Sequence, residues 1–220
     1  MSTIAETLPR SPRTSWWSRV GWALLLLGAL LAAANALLFA TAAASDAAFA
    51  INGGSVQRAR MFEIAAIGYA HTLGGMIAML IGPFQFLTTV RRRYPAVHRW
   101  LGRVYLTCVA VSGLAGLYLS PGSDARSTLG AGFIALALVW LYTGTNAYLA
   151  IRRGDVAAHR RWMIRNYALT YAAVTLRIEM PLLILIGGVA PILALNIVAW
   201  LCWVPNLLVV EAWSPRRPAS

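Results

Sequence analysis

Two of the three histidines in this chain lie in copies of one short motif. His98 and His159 are 61 residues apart, and each follows an apolar residue and two arginines at the same spacing. The first copy begins Val90-Arg91-Arg92 and the second begins Ile151-Arg152-Arg153. Both copies lie between long apolar stretches, so the repeating unit is a helix, a basic turn and a second helix. A duplicated hairpin places equivalent residues at the same membrane depth, which makes the two histidines a candidate pair.

Two imidazoles can supply both axial ligands of a haem iron. Each histidine lies near the beginning of a helix and among arginines, where the positive potential favours the neutral, metal-binding form. The sequence therefore predicts that His98 and His159 hold haem b. The only metal that these histidines are expected to bind is the iron of that haem. Neighbouring arginines are expected to neutralise the haem propionates: Arg99, Arg160 and Arg165. The alternative is that these His-Arg pairs only contact lipid phosphate or the preceding loop.

A second group of polar residues is predicted inside the membrane-spanning region. Four residues at intervals of 7, 4 and 7 share one helical face: His159, Asn166, Thr170 and Arg177. A polar face on an apolar helix should point into the bundle. Arg177 and His71 lie at the same depth, roughly 15 Å from the outer ends of their helices. Pro181 is expected to kink the helix because its ring clashes with the carbonyl of Arg177. We predict a buried polar site of His71, Asn166, Thr170 and Arg177, which either binds a ligand or joins the helices.

Membrane-spanning helices must position these residues. The chain has 220 residues, of which 59% are hydrophobic and only 12% are charged. A helix needs about 20 apolar residues to cross a bilayer. The sequence therefore predicts an all-α polytopic membrane protein, embedded in a lipid bilayer, with six spans at about 20–42, 61–87, 98–119, 128–150, 158–187 and 190–210.

The arginines predict the orientation of the chain. All nineteen basic residues are arginines; with the amino terminus inside, fifteen lie on the cytoplasmic side, three lie outside and Arg177 lies within a span. This bias is typical of a protein with both termini in the cytoplasm. We expect a protein of the inner (plasma) membrane, with cytoplasmic tails at 1–19 and 211–220 and an external loop at 43–60. Anionic headgroups explain the net charge of +12, so nucleic acid is not an expected partner.

The first span also resembles a secretory signal, because basic residues precede an apolar run and alanines follow it. Its apolar core runs from Val20 to Ala40, which is longer than the core of a typical signal. We therefore expect an uncleaved first helix.

The repeat and the predicted helix starts agree in register. Asp155 is a favourable N-cap with Val156 at the first helical position, and Pro95, which aligns with Val156, is tolerated there. Spans 2 to 5 are predicted as two parallel hairpin repeats, at about 61–119 and 128–187, within one bundle over 20–210. Both histidines then occupy the fourth position of their helices.

Longer segments around these motifs resemble a family of bacterial predicted membrane proteins, known as domain of unknown function 2306. The resemblance covers about residues 65–180 and is carried by the segments HRRWMIRNYALT at 159–170, TLR at 175–177, HRWLGRVY at 98–105 and GPFQ at 82–85. It implies a membrane protein and names no activity.

A looser likeness is to six-helix, ascorbate-reducible transmembrane cytochromes of the b type. This likeness implies a four-helix core with two bis-histidine haems. His98 on span 3 and His159 on span 5 would match one ligand pair. The second pair needs histidines on spans 2 and 4, where only His71 on span 2 is present. The likeness therefore implies one haem at most.

The leading functional expectation is haem- or quinone-linked electron transfer, with a quinone or a redox protein as partner. Two other classes stay open. One is a non-enzymatic membrane protein that binds an anionic lipid or small anionic ligand at the His-Arg turns. The other is a small transporter with His71 and Arg177 in its pathway. The sequence has no nucleophile elbow, phosphate loop, zinc spacing or paired carboxylates, so whether the chain is an enzyme stays open.

Overall fold

The computed structural model describes residues 16–40, 65–120 and 128–213 of the chain. The predicted external loop at 43–60 and most of both predicted tails lie outside the described residues. Within the described residues the secondary structure is helical and no strand occurs.

Nine α-helices and one π-helical turn form the described part of the chain. The helices are α1 (Trp16–Ala40), α2 (Ala65–Gln85), α3 (Thr88–Arg93), α4 (Pro95–Leu119), α5 (Thr128–Arg152), α6 (Val156–Thr170), α7 (Ala172–Pro181), α8 (Pro191–Leu201) and α9 (Val204–Trp213), and the π-helical turn is Leu182–Ile186. Six stretches are long and apolar enough to cross a membrane, which confirms the all-α fold with six candidate spans. The sixth stretch continues three residues past its predicted end at 210. Glu211 therefore belongs to a helix.

The two histidine-bearing helices begin where the sequence predicts. Pro95 is the first residue of α4. The Asp155 carboxylate accepts a hydrogen bond from the backbone N–H of Ala158 at 2.8 Å and so caps α6. His98 and His159 are therefore each the fourth residue of a helix.

The connection between the two helices differs between the copies. In the second copy α5 continues to Arg152, and Gly154, with a φ of +77°, makes a tight turn into α6. In the first copy α2 ends at Gln85, and the arginines lie on the separate short helix α3. The first connection is therefore a helical segment and not the simple basic turn that the repeat predicts.

Pro83 gives the physical reason for the early end of α2. A proline inside a helix has no N–H to donate to the carbonyl four residues earlier, which here is the carbonyl of Met79. That carbonyl instead accepts a hydrogen bond from the Tyr167 hydroxyl of α6 at 3.2 Å. The second copy has Gly144 in place of the proline, and its helix continues.

Four long helices form a ring around the centre of the bundle. α2 packs on α4, α4 on α5, α5 on α6, and α6 on α2, so α4 and α6 lie diagonally across the ring. α1 packs outside α2 and α7, α8 packs on α5 and α7, and α9 packs on α6. Each predicted hairpin is thus a pair of packed helices, while the symmetry between the two hairpins stays a prediction.

The fifth span is irregular at its far end, as the proline predicts. The α-helical pattern ends at Pro181, and the next five residues form the π-helical turn Leu182–Ile186. Proline removes the hydrogen bond to the carbonyl of Arg177. The kink predicted at this position therefore takes the form of a change in helix type.

Candidate functional site

A hydrogen-bonded cluster fills the centre of the ring. The Tyr105 hydroxyl of α4 donates to Oδ1 of Asn166 on α6 at 2.8 Å and lies 2.8 Å from Oγ1 of Thr170. Nδ2 of Asn166 donates to the Trp140 carbonyl and to Oγ1 of Thr143, both on α5. Tyr105 and Asn166 are fully buried. Asn166 and Thr170 therefore face the interior, as the spacing predicts.

The contact between Tyr105 and Asn166 fixes the direction in which the histidine-bearing faces point. Tyr105 stands seven residues after His98, and Asn166 stands seven residues after His159. Residues seven apart lie on nearly the same side of an α-helix, about 10 Å apart along its axis. The imidazoles of His98 and His159 also interact electrostatically. Both histidines therefore stand on the side of their helix that faces the centre of the ring.

The two imidazoles differ in their hydrogen bonds. Nδ1 of His159 lies 2.8 Å from the carbonyl oxygen of Ala147. Because a carbonyl only accepts, Nδ1 carries the proton, and Nε2 of the neutral ring keeps a lone pair. Nδ1 of His98 is buried and has no hydrogen-bond partner among the described residues.

Gln85, at the end of α2, is a second polar residue with an unsatisfied group. It is only 7% exposed, and its Nε2 is buried without a partner in the described part of the chain. Gly102 lies one turn beyond His98 on α4, and a Cβ there would lie 3.7 Å from Oε1 of Gln85. Buried polar groups are nearly always paired. The unpaired atoms of Gln85 and His98 therefore mark a candidate binding site at the first turn of α4.

Arginines from both copies meet at the same end of the bundle. The pKa of Arg91 is lowered below its usual value, mainly by partial burial and to a smaller extent by the positive charges of Arg160 and Arg92. Arg91 also interacts electrostatically with His98. The ion pair found among the described residues involves neither Arg91 nor Arg160. Five residues together form what we call the histidine cluster: Gln85, Arg91, His98, His159 and Arg160.

One of the predicted propionate partners, Arg165, pairs with a carboxylate on another helix. Arg165 donates from Nε and Nη2 to the two carboxylate oxygens of Glu211 on α9, and its guanidinium stacks 4.9 Å from the centre of the Trp162 ring. Arg99 is exposed. Arg165 therefore joins α6 to α9, and the arginine that approaches Arg160 is Arg91.

At the opposite end of the bundle, Arg177 turns inward, as its polar face predicts. Its Nε donates to Oδ1 of Asn35 on α1 at 2.8 Å, and its Nη1 donates to the Ala173 carbonyl of its own helix at 2.8 Å. The guanidinium also interacts electrostatically with His71 on α2. Three helices thus meet in one polar layer.

His71 is fixed by the helix that faces it. Its Nδ1 lies 2.9 Å from the Ser112 carbonyl of α4, and Oγ of Ser112 donates back to the His71 carbonyl at 2.7 Å. The ring occupies the space left by Gly116, because a Cβ there would lie 2.9 Å from Cε1 and Nδ1. The structure therefore separates the predicted polar site into two groups: Asn166 and Thr170 at the centre, and His71 and Arg177 at the far end.

Sequence reasoning missed the role of some residues. Tyr105 stands at the constant offset of 61 from Asn166, so the repeat contains a signal for that contact. Arg91 lies in the repeated motif and carries the same kind of signal. Trp140 and Thr143 have none, since nothing in their spacing sets them apart from other residues of an apolar helix. No group of three or more His, Cys, Asp or Glu residues assembles within residues 16–40, 65–120 and 128–213.

The chain matches the model of one protein family. A family model described as "Predicted membrane protein (DUF2306)" matches residues 68–214, which include both histidine motifs, His71 and Arg177. No curated protein and no solved structure matches this chain. The chain belongs to the family of predicted membrane proteins designated DUF2306.

Proposed function

We propose that this protein binds one haem b between His98 and His159 and acts as an electron-transfer protein of the membrane. The contact of the Tyr105 hydroxyl with Asn166 Oδ1 at 2.8 Å carries the proposal. Both partners stand two helical turns from a histidine, on diagonal helices of a four-helix ring. Cofactor sites in helical bundles are built from side chains on facing helices, which can hold a ligand from both sides.

The donor groups fit an iron-bound porphyrin. The Ala147 carbonyl holds Nδ1 of His159, and such a bond orients Nε2 toward a metal. His98 has a buried ring nitrogen without a partner. A bis-histidine haem takes two imidazoles from the protein, and the two histidines supply them. Such a haem supplies reversible one-electron oxidation and reduction.

The arginines fit the two carboxylates of the same group. Arg91 and Arg160 repel each other, and an anion between them relieves that repulsion. Buried Nε2 of Gln85 offers a further donor at the first turn of α4. We therefore assign Arg91 and Arg160, with Gln85, to the propionates. The arginine bias places this end in the cytoplasm of an inner-membrane protein in our proposal.

Variants of the histidines test the assignment. His98→Ala and His159→Ala are each expected to abolish low-spin haem absorption, because a single remaining imidazole leaves the iron with one axial ligand. His71→Phe is the matched control and should retain the absorption of the natural chain, since His71 lies at the other end of the bundle. The proposal fails if all three variants retain the same absorption.

The arginine pair favours a second candidate, in which the histidine cluster binds a phosphate-bearing anion and no haem. Arg91 and Arg160 then hold the phosphate, and the histidines only line the site. This candidate predicts a colourless protein whose thermal stability rises with phosphatidic acid in the nanodisc. Arg91→Gln should remove that rise, whereas exposed Arg103→Gln should retain it.

A further inference from the structure

The charge of Arg177 is not compensated by any described carboxylate. The ion pair of the described residues joins Arg165 to Glu211, and the partners of Arg177 are the neutral groups of Asn35 and Ala173. Glu179 is two residues away, yet its Oε2 is buried without a hydrogen-bond partner in the described part of the chain. An ionised side chain among apolar helices is costly without a counter-group. Each further hydrogen bond to an oxygen acceptor would therefore lower the cost of keeping this guanidinium in the membrane.

One edge of this guanidinium is open. Nε and one N–H of Nη1 are used by Asn35 and Ala173. Nη2 and the second N–H of Nη1 have no acceptor among the described residues, and together they form the end-on edge of the guanidinium. Two parallel donors at this edge recognise a ligand oxygen that is partly or fully negative.

His71 offers a hydrogen-bond acceptor in the same layer, whereas Arg177 offers donors. Its Nδ1 must carry the proton, since the Ser112 carbonyl at 2.9 Å can only accept. Nε2 of the neutral ring is then an acceptor, and it has no hydrogen-bond partner within the described ranges. An ionised imidazole is costly within a membrane span, so the neutral ring is the favoured form.

An apolar cluster supports the placement of these groups. Ala32 of α1, Met79 of α2 and Val174 of α7 pack together and are buried. Asn35 follows Ala32 by three residues, and Arg177 follows Val174 by three residues. Both therefore lie about one helical turn beyond the apolar cluster. α2 runs in the opposite direction to α1, and Nε1 of Trp22 on α1 donates to the Pro83 carbonyl of α2 at 2.8 Å. Thirteen residues along each helix from this contact, Asn35 is level with Ala70, the neighbour of His71. The open donors of Arg177 and the open acceptor of His71 therefore share a layer above an apolar floor.

We propose that His71 and Arg177 bind the head group of a lipid-soluble hydroquinone. A ligand hydroxyl donates to Nε2 of His71, and a ligand oxygen accepts from the open edge of Arg177. Arg177 lies nine residues before Ile186, about 13 Å from the end of the fifth span, a depth that suits a ligand dissolved in the bilayer. The phosphodiester group of a lipid has no hydroxyl to donate to His71, and the head group of an oxidised quinone has none either. The site therefore selects the reduced head group.

Binding of decylubiquinol and decylubiquinone to the full chain in nanodiscs tests this inference. We expect decylubiquinol to bind at least tenfold more tightly than decylubiquinone. Arg177→Gln should weaken binding of both forms about tenfold, because both use the arginine. His71→Phe should weaken decylubiquinol alone and so remove the preference. Arg103→Gln, an exposed arginine at the opposite end, should leave both affinities unchanged.

Three results would overturn the proposal. These are equal affinities for the two forms in the natural chain, unchanged affinities in both site variants, and displacement of decylubiquinol by phosphatidylmethanol, an anionic phosphodiester lipid without a hydroxyl. If Arg177→Gln does not insert into the membrane, the comparison of the two forms in the natural chain and in His71→Phe still decides the matter. The measurement needs no haem, so its outcome is separate from that for His98 and His159.

Discussion

Replacing Asn166 with leucine is expected to lower the free energy of unfolding by about 2–4 kcal/mol. The substitution removes three hydrogen bonds of the side chain, to the Tyr105 hydroxyl, the Trp140 carbonyl and Oγ1 of Thr143. Interhelical hydrogen bonds in membranes contribute up to about 1.7 kcal/mol each. Asn166 is fully buried, so water cannot replace the lost partners. The measurement is denaturant unfolding in detergent micelles, followed by circular dichroism.

Asn146→Leu provides a matched control for this prediction. Nδ2 of Asn146 donates to the Tyr142 carbonyl of its own helix, and no hydrogen bond of its side chain to another helix occurs among the described residues. Its replacement should change the free energy of unfolding by less than about 0.5 kcal/mol. Equal losses for Asn166→Leu and Asn146→Leu would contradict a structural role for the central cluster.

A methyl group at Gly82 is expected to have a similarly large effect. A Cβ there would lie 1.9 Å from Cε2 and 2.3 Å from Cδ2 of Tyr167. The ring cannot move freely, because it packs edge-on against Phe86 at 5.4 Å and its hydroxyl donates to the Met79 carbonyl. Gly82→Ala should therefore cost about 3 kcal/mol, at the upper end for overpacking.

Thermal unfolding of the Gly82→Ala protein tests this expectation against Gly21→Ala. A Cβ at Gly21 meets no atom within 4 Å, so that substitution should leave the midpoint unchanged or raise it slightly. A Gly82→Ala protein as stable as Gly21→Ala would mean that Tyr167 does not pack against α2.

Much of the fold follows from the sequence because its signals are local. Asp155 caps a helix through its own side chain, and Pro95 begins one because proline is tolerated at the first position. Pro181 changes the helix type by removing one hydrogen bond. The spans follow in the same way from the length of each apolar stretch. Local signals of this kind do not depend on which helix lies next to which.

The partners of the site residues depend on how helices pack, and periodicity does not determine that. The spacing from Asn166 to Arg177 predicts that Arg177 points inward, but it does not identify Asn35 of α1 as its partner. Arg165 illustrates the same limit. It stands near a predicted haem ligand, while its carboxylate partner, Glu211, lies beyond the predicted end of the last span. Contacts between distant segments require the three-dimensional arrangement.

The haem content of the natural chain tests the account most directly. Protein purified from the membranes of haem-supplied cells should contain one haem b per chain and should give the sharp reduced absorption bands of a low-spin iron with two imidazole ligands. That result would agree with a ligand held between His98 and His159 at the end of the bundle where Arg91 and Arg160 meet. A colourless, folded protein from the same cells would contradict the proposed function.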